Sequence, residues 1–185
     1  MSQIPVGDMA GVIVFEPIHA SDNRGAFIKI QPVGMLEAGL ESIAISVNPT
    51  RGTIRGMHFQ VEPFTEEKII SCIQGAILDV ALDIRPSSKT YGQYAYIRLD
   101  ETNRSQVYLP KGIAHGFQTL EDDSIVQYCI SAPYSLESAV VINPINCLGI
   151  SWPLNDFLIS DRDLAGVDFK VASRLYIDSL GLTEP

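Results

Sequence analysis

The sequence has few cysteines, few positive charges and no long apolar run, and each shortage excludes a class of protein. The three cysteines, Cys72, Cys129 and Cys147, form no Cys-x-x-Cys pair and lie among apolar neighbours, which is typical of buried reduced thiols. No apolar segment approaches the roughly 20 residues that a membrane helix needs. The N-terminus also lacks the basic start of a signal peptide. We therefore expect a cytoplasmic protein with no membrane partner.

Basic residues are outnumbered throughout the chain. Thirteen lysines and arginines stand against 22 aspartates and glutamates, which gives a formal net charge of −9. Nucleic-acid surfaces are normally basic, so we expect no nucleic-acid partner. A small phosphorylated ligand is compatible with this charge, because a few arginines can recognise phosphate locally. Each arginine is therefore a candidate ligand contact.

Short apolar runs separated by Gly, Pro, Asn and Asp turns dominate the pattern. We predict strands at 11–15, 26–28, 42–48, 53–60, 68–74, 76–84, 94–99, 106–109, 114–119, 124–131 and 139–143, and an amphipathic helix at 171–180. The strand at 26–28 is expected to follow a turn at 22–25. This pattern predicts an all-β sandwich or barrel. The 185 residues fit a single domain 1–185, with an N-terminal strand region of about 1–48, a barrel core of about 49–153 and a C-terminal segment of about 154–185.

Two of these runs, 68–74 and 76–84, are separated by Gly75 alone. The gap leaves no room for a helix, so we expect the two strands to pair antiparallel around a tight bend. In the second run, alternation places Asp79 and Asp83 on one face of the strand. Two carboxylates therefore share a side of this strand.

The stretch Thr53–Gln60 sets Arg55, His58 and Gln60 inside a predicted strand. Histidine is the natural general base near neutral pH. Strict alternation would place Arg55 and His58 on opposite faces, so we expect Gly56 to mark a β-bulge that lets both face one ligand.

A second histidine, His115, lies in the pattern Pro110-x-Gly112-x-x-His115. This pattern resembles the second motif of the cupin family, which implies a double-stranded β-helix, the jelly-roll or cupin barrel, with short peripheral helices, one of them near the C-terminus. Metal-binding cupins have His-x-His in their first motif, whereas this chain has Gln60 at the second histidine position. With only Glu66 or Glu67 to add, we expect no metal site.

A longer series of motifs resembles the dTDP-4-dehydrorhamnose 3,5-epimerase family over about residues 11 to 165. The matching segments are Arg24-Gly25-x-Phe27, 54–60, Lys68, 79–85, Tyr91-Gly92, 110–117, Tyr128 and Gly149-Ile150-x-Trp152-Pro153. The resemblance implies an isomerase without a cofactor that inverts C3 and C5 of a nucleotide-linked 4-keto-6-deoxy sugar through an enolate. The implied reaction converts dTDP-4-dehydro-6-deoxy-D-glucose into dTDP-4-dehydro-L-rhamnose.

The resemblance also implies a role for each catalytic residue. His58 removes the proton, Lys68 lies near the developing enolate oxygen, and Tyr128 returns a proton from the opposite face. Asp163 is expected to orient His58, with Asp161 as the alternative. His115 is the second histidine of the site, with Asp79 as its expected partner.

The substrate contacts and the assembly follow from the same resemblance. The implied substrate-binding residues are Arg24, Phe27, Asn48, Arg55, Gln60, His115, Tyr134 and Arg162. A glutamine in a strand is equally compatible with an ordinary polar contact, so Gln60 has two interpretations. A homodimer is implied, in which strands of one subunit complete the sheet of the other and contribute to its site.

Departures from the family pattern leave specificity open. Lys29, Ser46-Val47 and Cys129 stand where the family often has other residues. The alternatives are a 3-epimerase that inverts one carbon, a sugar 3,4-ketoisomerase on a related nucleotide sugar, and a non-catalytic cupin that binds a sugar nucleotide. The sequence alone does not identify which nucleotide sugar is used.

Overall fold

Two antiparallel sheets of five strands each form the body of the protein in a computed structural model, which describes residues 2–29, 34–147 and 149–182. In chain order the strands are β1 Ile13–Phe15, β2 Ile18–Asp22, β3 Gly25–Lys29, β4 Ser42–Asn48, β5 Ile54–Gln60, β6 Lys68–Gln74, β7 Ala76–Asp83, β8 Tyr94–Asp100, β9 Gln106–Leu109, β10 Ile113–Thr119, β11 Ser124–Ile130 and β12 Ala139–Val141. The first sheet has the order β1-β9-β6-β11-β4, and the second has the order β12-β5-β10-β7-β8. The predicted all-β jelly roll is confirmed.

The main core lies between the two sheets. Ile70, Val107 and Val126 of the first sheet pack against Ala81 and Phe117 of the second, and all five are buried. Alternation sends the other side chains of these strands outward. Apolar side chains therefore fill most of the space between the sheets.

A second core covers the outer face of the second sheet. Val80 and Leu82 of β7 point there and pack with Phe169 and Tyr176 of a C-terminal helix. Strand β7 is therefore buried on both faces. The C-terminal helix covers the face that carries Val80 and Leu82, and the first sheet covers the face that carries Ala81.

The helices are few and short. A 3₁₀ turn spans Val6–Asp8, helix α1 spans Asp161–Leu164, and helix α2 spans Phe169–Ser179. The Asp168 side chain caps α2 by accepting a hydrogen bond from the Val171 N–H at 3.0 Å. The predicted C-terminal helix is confirmed and begins two residues earlier than the pattern indicated. No helix in the described part of the chain is long and apolar enough to cross a membrane.

The predicted pairing across Gly75 is wrong. Strand β6 pairs with β9 and β11, whereas β7 pairs with β8 and β10, so the two strands belong to different sheets. Gly75 has a φ of +70°, and a Cβ there would lie 2.6 Å from Ser124 Oγ. At this glycine the chain turns a sharp corner from one sheet into the other. Only glycine adopts this φ and tolerates this close approach without strain, so the corner replaces the hairpin turn that was expected.

The predicted strands agree with the observed strands to within two residues at each end. Strand β2 was not predicted. It pairs with β3 alone, as a two-stranded hairpin outside both sheets. Asn23 and Arg24 form the turn of this hairpin, as the turn residues predicted.

Candidate active site

A cavity of about 310 Å³ opens between the two sheets. Both sheets contribute to it, through β5 and β10 on one side and β6 and β11 on the other. Eight of the predicted site residues line it, namely Arg55, His58, Gln60, Lys68, His115, Tyr128, Tyr134 and Arg162. The fold therefore gathers most of the predicted site around one space.

His58 is held by a buried carboxylate. Its Nε2 lies 2.8 Å from Asp163 Oδ1, and the His58 side chain is 41% exposed while that of Asp163 is 6% exposed. Burial opposes ionisation of Asp163, but its hydrogen bond with His58, the charge of His58 and the Gly56 N–H outweigh that effect and lower the pKa of this carboxyl. The predicted contact between His58 and Asp163 is confirmed, and Asp161 is exposed.

Asp163 is placed by helix α1 and by its neighbours. Ser160 caps the helix by accepting a hydrogen bond from the Asp163 N–H at 3.1 Å. The second carboxylate oxygen of Asp163 accepts a hydrogen bond from the Gly56 N–H at 3.1 Å. The carboxylate is therefore fixed on both sides, toward the histidine and toward the strand that carries it.

The predicted bulge at Gly56 is confirmed. His115 of β10 pairs with His58, while Phe117 pairs with Arg55, so two residues of β5 face one of β10. Gly56 has a φ of +123°, and a Cβ there would lie 2.5 Å from Gly116 Cα. The bulge and this close approach bring both Arg55 and His58 to the cavity.

His115 and Tyr128 form the floor of the cavity from opposite sheets. His115 Nε2 lies 2.6 Å from Asp79 Oδ2, and Asp79 is fully buried. The second oxygen of Asp79 has no hydrogen-bond partner within the described residues. The rings of His115 and Tyr128 meet edge to face, with centroids 6.1 Å apart.

Tyr128 is held in its protonated form. Burial raises the pKa of its phenol, and the negative charge of Asp79 raises it further, while Arg55 acts in the opposite direction. A phenol that keeps its proton near neutral pH is available as a proton donor.

Lys68 begins β6 and meets a carboxylate that the predicted site did not include. Its Nζ lies 2.8 Å from Glu66 Oε1, and both side chains are nearly buried. The sequence offers Glu66 only as a possible metal ligand, although its spacing of two from Lys68 in an extended segment indicates that both side chains lie on one side. Gln60 Nε2 donates to Glu66 Oε2 at 3.2 Å.

Gln60 lines the cavity, but its amide is engaged within the protein. Besides Glu66, its Nε2 contacts the carbonyl oxygens of Phe64 and Pro133, at 3.0 and 3.1 Å. Its Oε1 accepts a hydrogen bond from the Ser135 N–H at 2.7 Å. Gln60 therefore ties the loops on both sides of the cavity together.

Arg55 lines the cavity and is held in place by Asn48. Arg55 Nε donates to Asn48 Oδ1 at 2.7 Å. Asn48 is buried and does not line the cavity; its own amide donates to the carbonyl oxygens of Ser46 and Ser124. Asn48 therefore holds Arg55 from behind, and within one chain the structure does not bring Asn48 itself to the cavity wall.

Two exposed residues of the cavity lining, Arg162 and Tyr134, contact each other. Arg162 Nη2 donates to the Tyr134 hydroxyl at 3.2 Å. Arg162 belongs to α1, directly before Asp163, and Tyr134 lies in the loop after β11. A single short helix therefore supplies both the partner of His58 and a cation at the entrance.

The charge of the cavity is opposite to that of the whole chain. Arg55, Lys68 and Arg162 line it, and Glu66 is the one carboxylate among the described lining residues. The full chain carries a net charge of −9. This local excess of positive charge suits an anionic ligand such as a diphosphate.

Two predicted substrate residues lie away from the cavity of their own chain. Arg24 and Phe27 belong to the β2–β3 hairpin, where the Arg24 side chain is 86% exposed and pairs with Asp22 at 2.7 Å. Phe27 is 75% exposed. Within one chain, the structure therefore does not bring these residues into the site.

No group of three or more His, Cys, Asp or Glu side chains with geometry suitable for a metal ion occurs among residues 2–29, 34–147 and 149–182.

Comparison with known proteins extends these observations. The family model for dTDP-4-dehydrorhamnose 3,5-epimerase matches residues 7–170. A dTDP-4-dehydrorhamnose 3,5-epimerase of Sinorhizobium fredii is 35% identical over 162 residues, which cover 84% of this chain and 83% of the relative. A dTDP-4-dehydrorhamnose 3-epimerase of Streptomyces niveus is 34% identical over 168 residues, which cover 86% of this chain and 79% of the relative.

A solved structure matches the fold as a whole. The dTDP-6-deoxy-D-glucose-3,5-epimerase of Legionella pneumophila, in complex with dTDP-4-keto-L-rhamnose, is similar to this chain with a TM-score of 0.83. The match has 29% sequence identity and covers 91% of this chain and 94% of that one.

Proposed function

The chain belongs to the dTDP-4-dehydrorhamnose 3,5-epimerase family, and on that premise we propose that it inverts C3 and C5 of dTDP-4-dehydro-6-deoxy-D-glucose to give dTDP-4-dehydro-L-rhamnose. It is an isomerase. One observation carries the proposal, namely that His58, Lys68 and Tyr128 line a single cavity while buried Asp163 contacts His58 from behind. A base, a cation and an acid are the groups that inversion next to a ketone requires.

His58 is the base. Its Nε2 faces an ionised carboxylate, so this nitrogen carries the proton and donates a hydrogen bond to Asp163. The lone pair then lies on Nδ1, which takes the proton from C3. The electron pair of the broken C3–H bond forms the C3–C4 double bond of an enolate, and negative charge develops on O4.

Lys68 stabilises that charge, and Tyr128 completes the inversion. A cation in a nearly buried position interacts strongly with a developing oxyanion. The phenol of Tyr128 then gives its proton to the opposite face of C3. The same sequence at C5 inverts the second carbon, because both carbons flank the C4 ketone. Only protons and one electron pair move, so the chemistry calls for no redox cofactor.

Arg55 and Arg162 are proposed to bind the diphosphate. Guanidinium groups match phosphate oxygens in bidentate geometry. Arg55 is held in place by Asn48, and Arg162 stands at the mouth beside Tyr134. Tyr134 is 66% exposed, and it is proposed to pack on the nucleoside once the ligand is bound.

A homodimer is proposed, with the β2–β3 hairpin of one subunit reaching the cavity of its partner. Edge strand β4 exposes Ile43, Ile45 and Val47 at 61, 60 and 53%. An exposed apolar edge strand is normally covered in the working protein. The hairpin exposes Phe27 at 75%, and an Arg24 and a Phe27 supplied by the partner would complete the nucleotide site.

A cytoplasmic location is also proposed, on the evidence of the thiols. Cys72, Cys129 and Cys147 are free and buried. Burial raises the pKa of Cys72 and of Cys147 to about 12, which disfavours the reactive thiolate. Free buried cysteines are typical of a reducing compartment.

The experiment is to incubate the protein with dTDP-4-dehydro-6-deoxy-D-glucose and identify the product from its proton coupling constants. Inversion at C3 and C5 is the expected result. The relative from Streptomyces niveus is a 3-epimerase, so inversion at C3 alone is the second candidate. Migration of the ketone would identify a ketoisomerase instead. An unchanged substrate, with an active control enzyme alongside, would contradict the proposal and leave a binding protein.

A further inference from the structure

Glu66 has no assignment in the reaction, although it is in direct contact with a residue that does. Its side chain is 11% exposed, and its Oε1 lies 2.8 Å from Lys68 Nζ. It is the one carboxylate among the described residues that line the cavity. A carboxylate at this position faces both the lysine and the space for the substrate.

The carboxylate of Glu66 is itself held in place. Its second oxygen accepts a hydrogen bond from Gln60 Nε2 at 3.2 Å. Gln60 is buried, and its other end accepts a hydrogen bond from the Ser135 N–H at 2.7 Å. Glu66 is thus a fixed point of the cavity wall, whereas a lysine side chain alone is long and flexible.

The neighbouring Glu67 provides a natural contrast. Alternation turns it to the other side of the chain, where its Oε1 accepts a hydrogen bond from the Tyr108 hydroxyl at 2.5 Å and its Oε2 from the Ala38 N–H at 3.2 Å. Glu67 is buried, at 3% exposure, and does not line the cavity. The two residues are of the same type but point to opposite sides of the chain.

We propose that Glu66 is a positioning residue for the epimerisation. This proposal rests on the function proposed above. Its carboxylate takes one N–H of the Lys68 ammonium and fixes the direction of the other two, so that they meet O4 of the substrate as the enolate forms. Glu66 forms no bond to the substrate in this role. It acts through Lys68.

Two measurable effects distinguish a positioning role of Glu66 from a general loss of structure in the Glu66 variant. C3 and C5 share the C4 ketone, so a disturbance at O4 slows proton exchange at both carbons by one common factor. A residue that acts only through Lys68 also has no effect once Lys68 is replaced, so the two substitutions are non-additive.

The experiment measures deuterium incorporation at C3 and C5 by proton NMR, with wild type, Glu66→Gln, Lys68→Met and the double variant. Glu66→Gln is expected to slow both carbons about tenfold, which is the scale of one charge-assisted hydrogen bond. In the Lys68→Met background it is expected to change the rates by less than about twofold. Affinity for dTDP stays within about twofold of wild type, since the nucleotide does not reach O4.

Glu67→Gln is the matched control and is expected to keep wild-type exchange rates. Thermal melting of each variant checks folding. If Glu66→Gln is recovered unfolded, Glu66→Asp retains the charge, withdraws the carboxylate from Lys68 and is expected to slow both carbons equally.

Three results would overturn the role of Glu66 while leaving the epimerase function in place. Glu66→Gln could exchange at the wild-type rate, the losses at the two carbons could be unequal, or the effects of Glu66→Gln and Lys68→Met could be fully additive. No exchange at either carbon by the wild-type protein would instead overturn the proposed function, and the role of Glu66 with it.

Discussion

His58 Nε2 lies 2.8 Å from Asp163 Oδ1, although 105 residues separate them in the sequence. The other oxygen of the same carboxylate accepts a hydrogen bond from the Gly56 N–H at 3.1 Å. One residue of α1 therefore fixes the tautomer of the histidine and satisfies an N–H that the bulge removes from the sheet ladder. The geometry of the base and the geometry of its strand depend on the same side chain.

Asp163→Asn tests this dependence through catalysis. The amide retains the shape of the carboxylate but not its charge, so the imidazolium that forms during proton transfer loses its partner. We expect kcat to fall by roughly 10²-fold, within the range that a general base contributes. Asp161→Asn is the control, because Asp161 is exposed on the same helix, and it should leave kcat unchanged. Equal kcat in both variants would contradict the role of Asp163.

The pH dependence of stability tests the same carboxyl without a substrate. Folding lowers the pKa of Asp163 below its ordinary value of 3.8, so ionised Asp163 favours the folded state above that pH. This contribution is lost as the pH falls through the folded pKa. We expect wild type to exceed Asp163→Asn in free energy of unfolding at pH 7, and the difference to shrink at pH 3. A difference that stays constant between these pH values would contradict the assignment.

Tyr128→Phe separates proton removal from proton return. The variant retains His58 but has no phenol to protonate the opposite face. His58 is then expected to return a deuteron to the face from which it took the proton, so that C3 incorporates deuterium without inverting. Proton NMR of the recovered sugar distinguishes the two outcomes. Continued inversion at the wild-type rate would mean that another group is the acid.

Gly56→Ala tests the bulge. Its φ of +123° is unfavourable for alanine, and the added Cβ would lie 2.5 Å from Gly116 Cα and 2.8 Å from the His115 carbonyl oxygen. Strain and overpacking together predict a loss of about 3 kcal/mol in the free energy of unfolding, measured by denaturant titration. Gly7→Ala is the control, since nothing lies within 4 Å of its Cβ, and it should cost little. Similar values for both variants would contradict the account of the bulge.

Subunit complementation tests the proposed exchange of the hairpin. His58→Asn and Arg24→Ala are each expected to be weakly active alone. In a mixed dimer, one cavity combines an intact His58 with the Arg24 of the other chain, so coexpression should restore activity if the hairpin acts in the partner's site. No recovery in a purified mixed dimer would mean that Arg24 does not act across the interface.

Alternation and turn residues were sufficient to predict most strands and the bulge at Gly56, because both follow from local geometry. Sheet membership was not predictable in the same way. The single residue Gly75 between β6 and β7 fits a hairpin and an inter-sheet corner equally well, and only the packing of both faces of β7 decides between them.

The site shows a similar division. His58, Lys68 and Tyr128 could be predicted from residue type and family resemblance. Glu66 was missed as a site residue because its role depends on the direction of the segment before β6. The contact between Asn48 and Arg55 was not predictable either, because it depends on how two strands meet. Long-range contacts of this kind are set by tertiary packing rather than by a local pattern.

The most direct measurement of the central claim is deuterium exchange by wild type and His58→Asn on dTDP-4-dehydro-6-deoxy-D-glucose in deuterated water. The wild-type protein is predicted to exchange protons at both C3 and C5. His58→Asn is predicted to lose exchange at both by roughly 10²- to 10⁴-fold while still binding dTDP. Exchange by His58→Asn at the wild-type rate would contradict the account.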